Sequence, residues 1–165
     1  MTFLGLYFQI YHSSIFLSLI KIHVPSGETD MLGEMLGELT GKIVGQRIVS
    51  HHEGGHLKIE STMETKGKIL GQEVTLIATF WRMERPQGGM FSKGHGVLMT
   101  KDGGKAIARG AGVSVPSKGP GMSMRGTRYI QTTVPALKRL NDAAILFEIE
   151  ITPDGVVHDK WWEWK

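Results

Sequence analysis

The sequence predicts an all-β fold: a closed antiparallel barrel of about eight strands, with a short helical turn before the last two. Three observations carry this expectation. From Gly37 onward, apolar and polar residues alternate with period two in successive runs, the pattern of half-buried strands. Turn residues separate the runs, with 22 glycines but only 6 prolines in 165 residues; that glycine share is about twice the usual value of roughly 7%. Finally, so many short-linked antiparallel strands leave exposed edges unless the sheet closes on itself or packs as two layers.

Taken in order, the first strand is expected over Leu39 to Val49, interrupted by Gly41 and Gly45, and His51 to Gly55 forms a loop. The second, Leu57 to Thr65, sets Leu57, Ile59, Ser61 and Met63 against Lys58, Glu60, Thr62 and Glu64. A turn at Lys66-Gly67 leads into a third strand over Lys68 to Met83, and Arg85 to Gly89 carries turn chemistry. The clearest hairpin joins Met90–Lys101 to Lys105–Val115 through Asp102-Gly103-Gly104, since Asp-Gly between alternating runs favours a tight reversal. Its arms carry the pairs Gly94/Gly96 and Gly110/Gly112. Set opposite each other, these would make a strip without side chains, where a barrel bends or a ligand approaches the backbone. Bending is the first reading; with Gln131, the four glycines are also candidate ligand-binding residues. A loop over Pro116 to Gly121 precedes a strand from Met122 to Thr133. Pro135 to Leu140 forms a helical turn with proline near its start, ended by Asn141-Asp142. The last strands, Ala143 to Ile151 and Val156 to Trp164, flank Pro153-Asp154-Gly155.

Residues 1–30 read differently. Phe3 to Ile20 is apolar and aromatic, and its first basic residue, Lys21, follows the run instead of preceding it, the reverse of a secretory signal. Gln9, His12, Ser13 and Ser14 interrupt it, so it makes a poor membrane span. It is expected to be an extra strand or helix, or an extension from a misassigned start ahead of Met31 or Met35. Residues 31–165 then form a single barrel domain. Localisation is expected to be cytoplasmic, with membrane association or export through the apolar segment as the alternative. The absence of cysteine excludes disulfides, thiolate metal sites and cysteine catalysis. Nineteen Lys and Arg against sixteen Asp and Glu are interspersed, without the clustering that nucleic-acid binding needs.

Thr40-Gly41-Lys42-Ile43-Val44-Gly45-Gln46-Arg47, the run Gly94 to Gly103, Arg125 to Thr133 continuing to Asn141, and the C-terminal Lys160-Trp161-Trp162-Glu163-Trp164-Lys165 resemble an uncharacterised microbial family of small β-barrel proteins. That family is similar to the allene oxide cyclase-like barrels. The resemblance spans Gly37 to Lys165 and implies a closed antiparallel barrel. The plant cyclases of this class are isomerases acting on a fatty-acid-derived epoxide within an apolar barrel. No cyclase catalytic motif matches here residue by residue, and fold likeness alone is a weak warrant for activity.

His52-Glu53-Gly54-Gly55-His56 satisfies the H-E-x-x-H pattern, whose chemistry requires both histidines on one helical face. Paired glycines destabilise a helix by about 1 kcal/mol each relative to alanine, and the flanking runs are strands. The segment is therefore read as a turn, and no metal site is assigned; His51, His52 and His56 could at most gather a metal adventitiously. His95 and His158 stand singly on strands. No hydrolase elbow, phosphate loop or dinucleotide fingerprint occurs, so no cofactor is expected.

The remaining candidates depend on which strand faces point inward, since the two faces alternate along every barrel strand. Arg125, Thr127, Tyr129 and Gln131 share one face, opposite Met122, Met124 and Ile130; Glu148 and Glu150 oppose Phe147, Ile149 and Ile151. If the apolar sets fill the barrel, these polar residues are solvated. If the polar sets face inward, Glu148, Arg125 and Tyr129 would form a buried acid, cation and hydroxyl cluster able to transfer protons. Trp162 and Trp164 are expected in the core, with Trp161 on the other side, where a large ring can mark a homo-oligomer interface. The leading expectation is a binding barrel for a small hydrophobic molecule, not an enzyme. The alternatives are a cyclase or isomerase using the same cavity, or a filled barrel acting as an interaction protein.

Overall fold

The computed structural model describes residues 32–51, 57–86, 88–116 and 121–165. The N-terminal segment and the His52–His56 motif lie outside the described residues. Eight strands follow in order: β1 (Leu32–His51), β2 (Leu57–Ile69), β3 (Gln72–Glu84), β4 (Met90–Thr100), β5 (Lys105–Pro116), β6 (Met122–Thr132), β7 (Ile145–Ile151) and β8 (Val156–Trp164). Each pairs antiparallel with the next, and β8 closes the barrel against β1, from Leu32 beside Trp164 to Lys42 beside Val156. The expected all-β closed barrel is present, with a 3-10 helix (Pro135–Asp142) before the last two strands.

Three details differ from expectation. β1 begins at Leu32, ahead of Leu39, because its first half supplies the closing ladder to β8. The β2–β3 reversal falls at Leu70-Gly71, not Lys66-Gly67: both residues have positive φ (50° and 76°), as a two-residue type I′ hairpin turn requires. Gly67 instead sits inside β2 opposite Leu39, where a Cβ would come 2.1 Å from the Glu38 carbonyl oxygen. Third, the glycine pairs of the β4–β5 hairpin are offset. Gly94 faces Gly110, but Gly96 faces Ala108 and Gly112 faces Ser92, continuing to Gly126 on β6. The reversal spans Thr100 to Gly104, with the Gly103 and Thr100 amides donating to the Thr100 and Gly104 carbonyls, and this sets the register two residues from full glycine overlap.

The core is the barrel interior. Met63, Leu76, Phe80, Leu98, Met124, Ile149, Val157 and Trp161 project inward, each on the parity its strand buries. One end is plugged by the 3-10 helix, whose Leu137 and Leu140 are fully buried. Asn141 fixes that helix to β6: the Thr132 amide donates to its Oδ1 (2.8 Å) and its Nδ2 donates to the Thr132 carbonyl (3.0 Å). The opposite end, the mouth, carries the β3–β4 and β7–β8 turns, and among the described residues no helix covers it.

Candidate functional site

The interior is not completely filled. A cavity of about 50 Å³ lies among Met63, Leu76, Phe80, Met124, Phe147 and Ile149, enough for a few waters or the end of a small organic chain. The same space is bordered by all four predicted glycines, Gly94, Gly96, Gly110 and Gly112. Their smallness has a structural cause: a Cβ on Gly94 would sit 2.5 Å from that of Phe80, and one on Gly112 would sit 2.3 Å from the Arg125 carbonyl oxygen. Bending and close strand approach therefore account for them. The result is a wall one backbone thick, since Gly94 and Gly110 also underlie an outer groove bordered by Trp81, Lys93, His95, Arg109 and Tyr129.

The polar element of the lumen is an ion pair. Arg128 projects inward from β6 and donates from Nη1 to Oδ2 of Asp159 on β8 at 2.9 Å. The guanidinium lies 4.2 Å from the ring centre of Trp161 and 4.8 Å from that of Phe147, close enough for cation–π attraction to both. Asp159 is fully buried, and burial pushes its carboxyl above the ordinary value against the opposing pull of Arg128. Among the described residues, Asp159 Oδ1 and Trp161 Nε1 have no hydrogen-bond partner within 3.5 Å, although the indole N–H is near enough to pull the Asp159 pKa down as Arg128 does. Arg128 borders the cavity from the inward face of its strand, whereas Lys93 and Arg109, also at its border, are exposed on the outer face, so a ligand inside would meet apolar walls and a compensated guanidinium.

A second guanidinium stands at the mouth. Arg82 points inward from β3 and donates from Nη1 to Met122 Sδ (3.0 Å) and from Nη2 to Ser61 Oγ (3.3 Å). Gln46 Nε2 also donates to Ser61 Oγ, at 3.1 Å. These residues, with Phe80, Ile151 and Asp154, border an open depression of about 420 Å³. Phe80 borders both this depression and the inner cavity.

The sequence-predicted polar residues lie elsewhere. Arg125, Tyr129 and Gln131 are exposed on the outer face of β6, and Glu148 points outward from β7; the inward-facing acid, cation and hydroxyl cluster does not form. Arg125 Nη2 and Glu148 Oε1 do meet, at 2.7 Å, as a cross-strand pair on the surface. Tyr129 is four residues from Arg125 on the same strand, about 13 Å away, beside the outer groove. A lumen ligand is separated from Glu148 by the barrel wall. Glu148→Gln is accordingly expected to leave the thermal unfolding midpoint and ligand retention nearly unchanged, because exposed ion pairs contribute little; circular dichroism melts and native mass spectrometry check this.

The tryptophan expectation is also reversed. Trp161 is 0% exposed inside the barrel and Trp164 is 55% exposed. β8 buries Val157, Asp159 and Trp161, and the two outward rings outweighed the single inward one in the sequence pattern because the inward set includes a charge. The same parity signal marks residues that sequence reasoning missed. Arg128 shares a face with Met122, Met124 and Ile130, Asp159 with Val157 and Trp161, and Arg82 with Leu76 and Phe80. A charged residue in register with an apolar set was the available clue. His95 and His158 face outward singly, and among the described residues no three His, Asp or Glu side chains converge to hold a metal ion. Among those residues, no helix is long and apolar enough to cross a membrane.

No protein-family model matches the chain, and no curated protein matches it in sequence. Solved structures do match. A protein with unknown function from Clostridium acetobutylicum ATCC 824 superposes with a TM-score of 0.68 at 14% identity, covering 80% of this chain and 98% of that one. A β-barrel like protein from Acinetobacter baumannii AYE gives 0.67 at 12% identity, covering 79% and 94%. A conserved protein of unknown function from Rhodopseudomonas palustris gives 0.66 at 13% identity, covering 79% and 95%. At these identities the likeness is one of fold: the chain shares its architecture with small bacterial β-barrel proteins of unknown function.

Proposed function

We propose that this barrel binds a small, largely apolar molecule in its lumen. The observation that carries the reading is the cavity itself: an unfilled space of about 50 Å³ with apolar walls, inside a closed eight-stranded barrel. Barrels of this strand number are just wide enough either to fill with side chains or to hold one small ligand. Methionine and phenylalanine at the walls, Met63, Met124, Phe80 and Phe147, supply soft, adaptable apolar contact. The compensated Arg128–Asp159 pair gives such a ligand an oriented polar neighbour without an unbalanced charge.

Ala108 points into the cavity from β5 and is almost fully buried. Ala108→Leu adds three carbons there, at a cost of about 1–3 kcal/mol if the site must overpack. The expected outcome is that gently ionised wild-type protein has a mass exceeding its denatured mass, whereas Ala108→Leu, still folded by circular dichroism, has equal masses. Equal masses for wild type, or an excess kept by the filled variant, would count against the lumen as the site.

A further inference from the structure

We infer that the mouth of the barrel recognises a carboxylate, and that the ligand class is a short apolar monocarboxylic acid whose head sits against Arg82 and whose chain passes Phe80 into the lumen. This rests on the reading of the lumen as a binding site and adds the head group to it.

The two inward guanidiniums are treated differently by the fold. Arg128 has its own counter-ion, Asp159, at 2.9 Å. Arg82 has none: among the described residues no carboxylate lies within 4.0 Å of it. It is nevertheless half-buried, and burial alone pushes its pKa down. A guanidinium offers five N–H donors. Among the described residues the acceptors supplied to Arg82 are a hydroxyl and a thioether, both uncharged, and its Nε has no partner. A half-desolvated cation with neutral, partly missing acceptors is complemented best by a carboxylate, which can take two parallel N–H bonds from the planar fork.

The neighbours refine the class. Ser61 Oγ accepts from both Gln46 and Arg82 and, being buried, fixes the guanidinium at the edge of the depression. Asp154 borders the same depression, held as an anion below the usual carboxylate range by the Thr152 hydroxyl. One cation beside a fixed anion suits a monoanion and disfavours a phosphate dianion. Phe80 borders both the depression and the inner cavity, so the route proposed for the chain runs past its ring. Because that cavity is only about 50 Å³, it takes the last few carbons of a chain and not a long acyl tail.

The test compares hexanoate with 1-hexanol, which share a chain and differ in head group, by calorimetric titration of the full chain. The expected result is at least tenfold tighter binding of hexanoate to wild type. Arg82→Gln should lose that preference while keeping its affinity for hexanol, and Arg82→Lys should retain part of it. Equal affinities in wild type, or a preference that survives in Arg82→Gln, would overturn the carboxylate assignment and leave the apolar lumen standing. Binding of neither compound would overturn both. The wild-type comparison needs no variant, so poor folding of Arg82→Gln does not remove the test.

Discussion

Arg128→Met is expected to destabilise the barrel by about 3–5 kcal/mol at neutral pH, because it leaves Asp159 as a buried carboxylate without a counter-charge. Asp159 accepts its one short hydrogen bond from Arg128 Nη1, and apart from Arg128 only the neighbouring Trp161 indole N–H favours its charged form. The double variant Arg128→Met with Asp159→Leu should recover most of the loss, since replacing a whole buried pair by apolar residues is often neutral or stabilising. The pH dependence has a definite sign. Burial holds the folded-state pKa of Asp159 above its ordinary value, with Arg128 pulling the other way. A carboxyl raised in this way binds its proton more tightly in the folded state, so acidification favours folding between the ordinary and the raised value. Removing Arg128 removes the opposing pull and extends that interval upward. Arg128→Met should therefore gain stability as pH falls through it, and the double variant should not. Glu34, Asp102 and Asp154 behave oppositely. Hydrogen bonds from Arg139, Thr100 and Thr152 respectively hold them below their ordinary values, and their contribution is lost only as pH falls through those lower pKa values. Denaturant unfolding of the three proteins across pH 4 to 8, on the order of the carboxylate-to-neutral range, checks both magnitude and sign.

Gly126→Ala is expected to cost on the order of 3 kcal/mol or more, at the upper end of overpacking effects. The new Cβ would sit 2.1 Å from the Ala111 carbonyl oxygen and 2.6 Å from Gly112 Cα, both backbone atoms of the neighbouring strand that no rotamer change can move. Relief would require β5 and β6 to separate along the glycine strip that bends the wall. Gly45→Ala is the control: it lies at a β1 bulge with nothing within 4 Å of its Cβ position, and a change within about 0.5 kcal/mol is expected for such a surface site. Urea unfolding of both variants measures the contrast; equal losses would show that close strand approach does not explain the strip, because the entropy effect of Gly→Ala alone is stabilising.

The fold was largely legible because two-residue periodicity and turn chemistry are local signals. β8 has the predicted bounds, and the β4–β5 hairpin is placed within a residue at each end. Lys66-Gly67 misled because glycine inside a strongly coiled strand looks in sequence like glycine in a turn, whereas the true turn carries a leucine at positive φ. The site was less legible. Which face of a strand turns inward is decided by the whole closed sheet, and the buried Arg128 and Asp159 and the half-buried Arg82 sit on the faces that composition marks as apolar. Glu148 and Arg125 attracted attention as a polar set, and the structure makes them a solvated cross-strand pair.

The lumen as a binding site is tested most directly by methionine methyl resonances. Met63 and Met124 line the cavity, while Met35 and Met83 are exposed outside it. In protein carrying ¹³C-methyl methionine, titration with hexanoate and separately with 1-hexanol is expected to shift the Met63 and Met124 signals saturably with at least one compound, leaving Met35 and Met83 in place. Signals that stay fixed with both compounds, or that shift equally inside and outside the barrel, would contradict it.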